Sequence, residues 1–181
     1  MASRAALSGF ARSAGSVLVI GLATLIAALA MQHIGGLIPC DLCLKQRWPY
    51  YAALPLTAFA LLLHRLSPIA ARGLMAPVGM IFLAGALLAF YHAGVEYGLW
   101  PGPASCTQGA QQSFDTINQL MQALDAGKLV RCDEAAFTLF GISLAGYNGV
   151  VCLILAGLGF MAAFGDGKRK NGGAHQANDT G

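Results

Sequence analysis

Four long apolar runs divide the chain, and polar residues gather in short clusters between them. Residues 16–34 carry no charged side chain. At roughly 1.5 Å per residue, a helix of that length crosses a ~30 Å hydrocarbon core. A second run covers about 45–63, starting at Lys45 or Trp48, with Pro55 inside it as an expected kink. A third covers 74–95 and a fourth 139–164. In the fourth, Gly141, Ala145 and Gly149 recur every four residues, a small-residue face that lets a neighbouring helix approach closely. The pattern predicts an all-α integral membrane protein, a four-helix transmembrane bundle forming one domain over residues 1–164. Polar residues dominate one long loop, 97–138. Within it Phe114, Ile117, Leu120, Met121 and Leu124 fall at helical spacing, with Ser113 as N-cap and Gly127 as stop, which predicts a short amphipathic helix, lying on the membrane surface or packed within the folded loop. The Gly-, Asn- and Lys-rich segment 165–181 reads as a disordered tail. A cleavable signal peptide ending near Ala28-Leu29-Ala30 competes with the first span, but the apolar run is long for a signal.

Composition agrees with a bilayer protein: 56% of residues are hydrophobic and only 10% charged, against about a quarter charged in soluble domains. A net charge of +3 with scattered Lys and Arg gives no nucleic-acid surface. Arg4, Arg12, Arg65, Arg72, Lys168, Arg169 and Lys170 flank the runs on one side, against Lys45, Arg47, Lys128 and Arg131 on the other. Both termini are therefore expected in the cytoplasm. Trp48, Tyr50, Tyr51, Tyr97 and Trp100 then form an outer aromatic belt, and Cys40, Cys43, Cys106 and Cys132 face outward, where disulfides persist. Cys152 alone lies within a span and reads as a small packing residue.

The candidate chemistry centres on Pro39-Cys40-Asp41-Leu42-Cys43-Leu44-Lys45-Gln46-Arg47. A Cys-x-x-Cys pair closes a small disulfide ring whose thiolate character follows the neighbouring charge, here Lys45 and Arg47. Pro49 leaves open where the second helix starts and hence where Arg47 stands. Two outward cysteine pairs suit a dithiol relay, one tight and one spanning the loop. Two structural disulfides or a zinc site are the alternatives. His92 and Glu96, four apart, share a helical face at membrane depth and are functional candidates, while Ser143 and Asn148 read as interhelical hydrogen-bonding groups.

With the runs, Pro39-Cys40-Asp41-Leu42-Cys43 and Arg47, Tyr91-His92, Cys106 with Cys132, and Gly141-Ile142-Ser143-Leu144-Ala145-Gly146-Tyr147-Asn148 in view, the chain resembles the disulfide bond formation protein B (DsbB) family of bacterial inner membranes. The resemblance covers all but the two tails. It implies a multi-pass inner-membrane protein-disulfide:quinone oxidoreductase with periplasmic cysteine pairs. A soluble thioredoxin-like oxidase (DsbA) would pass electrons to Cys106-Cys132, that pair to Cys40-Cys43, and Cys43 to a membrane quinone, expected to be ubiquinone, held near Arg47 and His92, with no metal required. A quinone-independent thiol carrier and a non-enzymatic protein with two structural disulfides stand as the alternatives.

Overall fold

The computed structural model describes residues 2–37, 39–103, 117, 132, 135 and 137–165. Their order is α1 (Ala2–His33), α2 (Asp41–Lys45), α3 (Trp48–Leu63), α4 (Pro68–Glu96), β1 (Thr138–Leu139), β2 (Ile142–Ser143) and α5 (Leu144–Phe164). The chain is mostly helical, as expected. Among the described residues, three segments are long and apolar enough to cross a membrane: Gly9–His33, Pro68–Glu96 and Leu144–Phe164. At 16 residues α3 is about 24 Å long, which is short of that standard. Along these helices Val19, Ile26, Leu62, Leu87 and Ile154 are exposed. Lipid removes the penalty that water would impose on such side chains.

Several boundaries differ from the apolar runs. The third helix starts at Pro68 rather than near residue 74, because proline at a first helical position loses only an N–H that has no intrahelical partner there. Pro49 likewise falls in the first turn of α3, so the helix begins at Trp48 and Arg47 occupies the turn before it. The fourth run does not start as a helix. Residues 138–143 pair as an antiparallel hairpin, Thr138 opposite Ser143 and Leu139 opposite Ile142, around Phe140 (φ 51°) and Gly141 (φ 77°). Left-handed angles end a right-handed helix, and Gly141 supplies one without steric cost. Gly141 is therefore absent from the helical small-residue face, which retains buried Ala145 and Gly149. Ser143 caps α5 by accepting the Gly146 N–H at 3.2 Å. Apart from Ile117, which is helical and exposed, the predicted loop helix lies outside the described residues, as does the 166–181 tail.

By internal contacts the chain divides into two compact units. The first comprises Met1–Ala23, Tyr50–Leu83 and Leu153–Gly181. Its core includes Val17, Met75, Val78, Phe82 and Leu155. Tyr50 is buried there edge-on to Phe82, with ring centroids 5.4 Å apart, and so does not join the expected belt of exposed aromatics. A Cβ on Gly159 would stand 3.0 Å from the Gly79 backbone, which shows how closely α4 and α5 meet. The second unit comprises Thr24–Pro49 and Ala84–Cys152. It holds all the described candidate chemistry. In it the Tyr97 hydroxyl donates to the Gly141 carbonyl at 2.9 Å and accepts the Ser143 N–H at 3.1 Å. The Tyr147 hydroxyl donates to the Leu139 carbonyl at 3.1 Å, so two tyrosines clip the hairpin in place.

Candidate functional site

Cys40 is the N-cap of α2. Its extended backbone (φ −74°, ψ 171°) turns Sγ back to accept the Cys43 N–H at 3.2 Å. The Cys-x-x-Cys spacing thus places the first sulfur before the helix and the second on its first turn. The two free thiols are 2.8 Å apart, and Cys40 Sγ donates to Cys43 Sγ. That hydrogen bond holds the Cys43 thiol below the ordinary cysteine range, with Arg47 acting in the same direction against burial and Glu96. Cys40 is pushed well above that range because it donates the bond, is buried and faces the charge on Cys43. The pair is polarised, with half-buried Cys43 the more acidic thiol and buried Cys40 the less acidic one.

Of the two cations beside the motif, only Arg47 acts on Cys43. Lys45 is exposed and paired with Asp41 at 2.7 Å. Arg47 donates from Nη1 to Gln32 Oε1 at 2.6 Å, a bond that anchors one edge of the guanidinium. A guanidinium carries five N–H groups in a planar fork. Donor groups of this kind beside a partly exposed, acidified thiol fit a carbonyl-bearing electron acceptor.

His92 reaches the pair from α4. Its Nε2 lies 3.6 Å from Cys40 Sγ and 3.7 Å from Glu96 Oε1, and its side chain is 1% exposed. Its Nδ1 is 2.6 Å from Gln46 Nε2, and Gln46 Oε1 accepts from Asn148 Nδ2 at 2.7 Å. Glu96 is buried beside Ser143, which hydrogen-bonds it, while its Oε2 has no partner among the described residues. Gly85 brings α4 close: a Cβ there would stand 2.9 Å from the Pro49 ring and 3.4 Å from Cys152 Sγ.

Cys132 is buried, disulfide-bonded and clustered with Cys40 and Leu42, with Cys43 and Leu88 packed against the cluster. Its backbone also borders the His92 ring. The structure therefore brings together Cys40, Cys43, Cys132 and His92, with Arg47 acting on Cys43 from the adjoining turn. Cys106 lies outside the described residues.

Cys40, Cys43 and His92 present donor atoms within 4.8 Å of one another, a spacing compatible with a metal ion. Against ligation stands the Gln46 amide, which donates to Nδ1 and leaves the proton of a neutral ring on Nε2, the atom that faces the sulfurs. Sequence reasoning missed Gln46, whose charged neighbours Lys45 and Arg47 drew attention from it. The available signal was its place three residues after Cys43, on the same helical face. Asn148 does hydrogen-bond between elements, as expected.

Residues 11–162 match the family model described as disulfide bond formation protein DsbB. An uncharacterized protein of Rickettsia prowazekii (strain Madrid E), RP370, is 24% identical over 143 residues, covering 77% of this chain and 80% of that protein. No solved structure matches significantly.

Proposed function

The chain belongs to the DsbB family, and on that premise we propose that this disulfide-bond-formation membrane protein reoxidises a periplasmic thioredoxin-like dithiol (DsbA) and delivers the electrons to a membrane quinone. In this reading the partner's dithiol attacks the Cys106-Cys132 disulfide. One disulfide forms on the partner, one breaks here, and two electrons and two protons are taken up. The reduced pair then exchanges with Cys40-Cys43, which moves the dithiol to the polarised site. Re-forming the Cys40-Cys43 disulfide releases two electrons and two protons. A bound quinone supplies the acceptor for both. Arg47 is the residue proposed to hold its carbonyl, with His92 bordering it from the Cys40 side. We further propose four spans, with α3 the short one, both termini cytoplasmic and both cysteine pairs periplasmic in the inner membrane.

The observation that carries the reading is the burial of disulfide-bonded Cys132 in one cluster with Cys40, beside a Cys43 whose thiol is held below its ordinary range by the Cys40 hydrogen bond. A structural disulfide needs no such polarised neighbour. The test uses the purified full-length protein, a reduced thioredoxin-like partner and a soluble ubiquinone analogue, with quinone reduction followed optically. Turnover is expected to need both substrates and to vanish in Cys106→Ser, while quinone still reoxidises the Cys40-Cys43 pair of that variant. Partner oxidation at an unchanged rate without quinone would favour the quinone-independent carrier, and an inert protein would favour structural disulfides.

A further inference from the structure

We propose that Gln46 and Asn148 are positioning residues that hold the His92 imidazole in the tautomer with its proton on Nε2, so that an N–H donor is aimed at the Cys40 sulfur. The purpose of this arrangement rests on the oxidoreductase reading above, but its geometry does not.

The direction of the chain follows from which atoms can donate. Asn148 Nδ2 can only donate, so Gln46 Oε1 is the acceptor at 2.7 Å. The other end of the same amide, Gln46 Nε2, can also only donate, so His92 Nδ1 accepts at 2.6 Å. A neutral imidazole that accepts at one nitrogen donates at the other. The surroundings of Nε2 are compatible with the same answer. Glu96 Oε1 faces it at 3.7 Å. Cys40 Sγ faces it at 3.6 Å with its own proton already committed to Cys43. Both can accept from the ring. Beyond Asn148 the polarity is continued by Cys152, whose thiol lies 3.9 Å from Asn148 Oδ1 on the donor side. Gln46 and His92 are buried, and reversing the Gln46 amide would set its donor against the Asn148 donor, while reversing the Asn148 amide would set acceptor against acceptor, at a site with little room for water to repair it.

An Nε2–H aimed at Cys40 serves the step that sulfur must perform. Cys40 is the less acidic thiol of the polarised pair, and the disulfide re-forms only when Cys40 gives its proton up and bonds to Cys43, with the two protons and two electrons of the dithiol passing to the quinone acceptor of the reading above. A fixed N–H donor stabilises the negative charge that develops on Cys40 Sγ at that moment, as preorganised donors do elsewhere. His92 acts at the sulfur, whereas Gln46 and Asn148 act only through His92.

The experiment is nitrogen NMR of the full-length protein, labelled with 15N-histidine in detergent, with the His92 signals identified by their loss in His92→Phe. Nε2–H should exceed Nδ1–H by at least about tenfold, the ratio one buried hydrogen bond can set. In Asn148→Leu, which frees the Gln46 amide to turn, the excess should fall to within about threefold, and in Gln46→Leu the preference should weaken likewise. A wild-type ring protonated on Nδ1 would overturn the proposal without any variant having to fold. So would an unchanged ratio in a folded Gln46→Leu protein. In turnover, Asn148→Leu should lower kcat about tenfold and leave the quinone KM within about twofold; a changed KM with normal kcat would overturn the positioning role. The tautomer is measured without partner or quinone. A protein with the expected ring state and no quinone reduction would therefore refute the proposed function and not this geometry.

Discussion

Replacing Cys40 tests the polarised dithiol most directly, because two variants remove the same competing thiol and differ only in hydrogen bonding. In Cys40→Ser a hydroxyl still stands where Sγ donates to Cys43 at 2.8 Å, and in Cys40→Ala nothing does. A hydrogen bond to a charged group contributes about 1.5–3 kcal/mol, and each 1.4 kcal/mol is a factor of about ten in the equilibrium it biases. With that bond the leading cause that depresses the Cys43 thiol, the Ala variant should hold roughly ten- to a hundredfold less Cys43 thiolate near pH 7 than the Ser variant. The assay is the pH-dependent rate of Cys43 alkylation in reduced protein, read by peptide mass spectrometry. Because the group is depressed in the wild type, its alkylation profile should persist to lower pH, shift upward in Cys40→Ala and remain near its original position in Cys40→Ser. Loss of the cap does not imitate this result. Removing the N-cap costs about 1 kcal/mol and frays α2, which exposes Cys43 and speeds alkylation, the opposite sign. Equal rates in the two variants would show that the Cys40 bond does not set the thiolate.

Three further outcomes are expected. Arg47→Ala should weaken quinone binding about ten- to a hundredfold, the worth of one charged hydrogen bond, with Arg47→Lys between; steady-state kinetics with quinone varied would refute this if KM and kcat stay unchanged. A membrane-impermeant maleimide added outside reduced cells should label Cys43 and Cys106 and leave Cys152 untouched, whereas labelling of Cys106 only after the inner face is opened would reverse the proposed orientation. Gly85→Ala sets a methyl 2.9 Å from the rigid Pro49 ring. It should cost about 1–3 kcal/mol as overpacking, seen as a lower midpoint of thermal unfolding in detergent, and an unchanged midpoint would mean the helices separate freely there.

What the sequence disclosed was set by periodicity and charge. Spans one, three and four are visible as uncharged runs because a bilayer demands them, and the cysteine motif is visible because its spacing is local. The hairpin was hidden. Leu139, Phe140 and Ile142 extend the apolar run that follows, and only the left-handed Phe140-Gly141 turn and the Ser143 cap separate it from α5. Tyr50 looked like an interfacial aromatic, since sequence does not tell which side of α3 faces Phe82. The Gln46–His92 and Gln46–Asn148 contacts join residues 46 and 102 positions apart, and no local pattern encodes such pairings. The Cys132–Cys40 cluster was legible from the two outward cysteine pairs as a candidate relay, but not as a place.

The tyrosine clips on the hairpin also limit travel. Thr138 is held by its strand partner and by the bonds to Tyr97 and Tyr147 around it. Cys132 precedes it by only six residues. At no more than about 3.5 Å per residue, that leash is at most about 20 Å long, so while the hairpin stays clipped Cys132 lies within that distance of its anchor. A reaction partner must enter this radius to meet Cys132, and lengthening the leash by a few glycines would enlarge it without touching a sulfur.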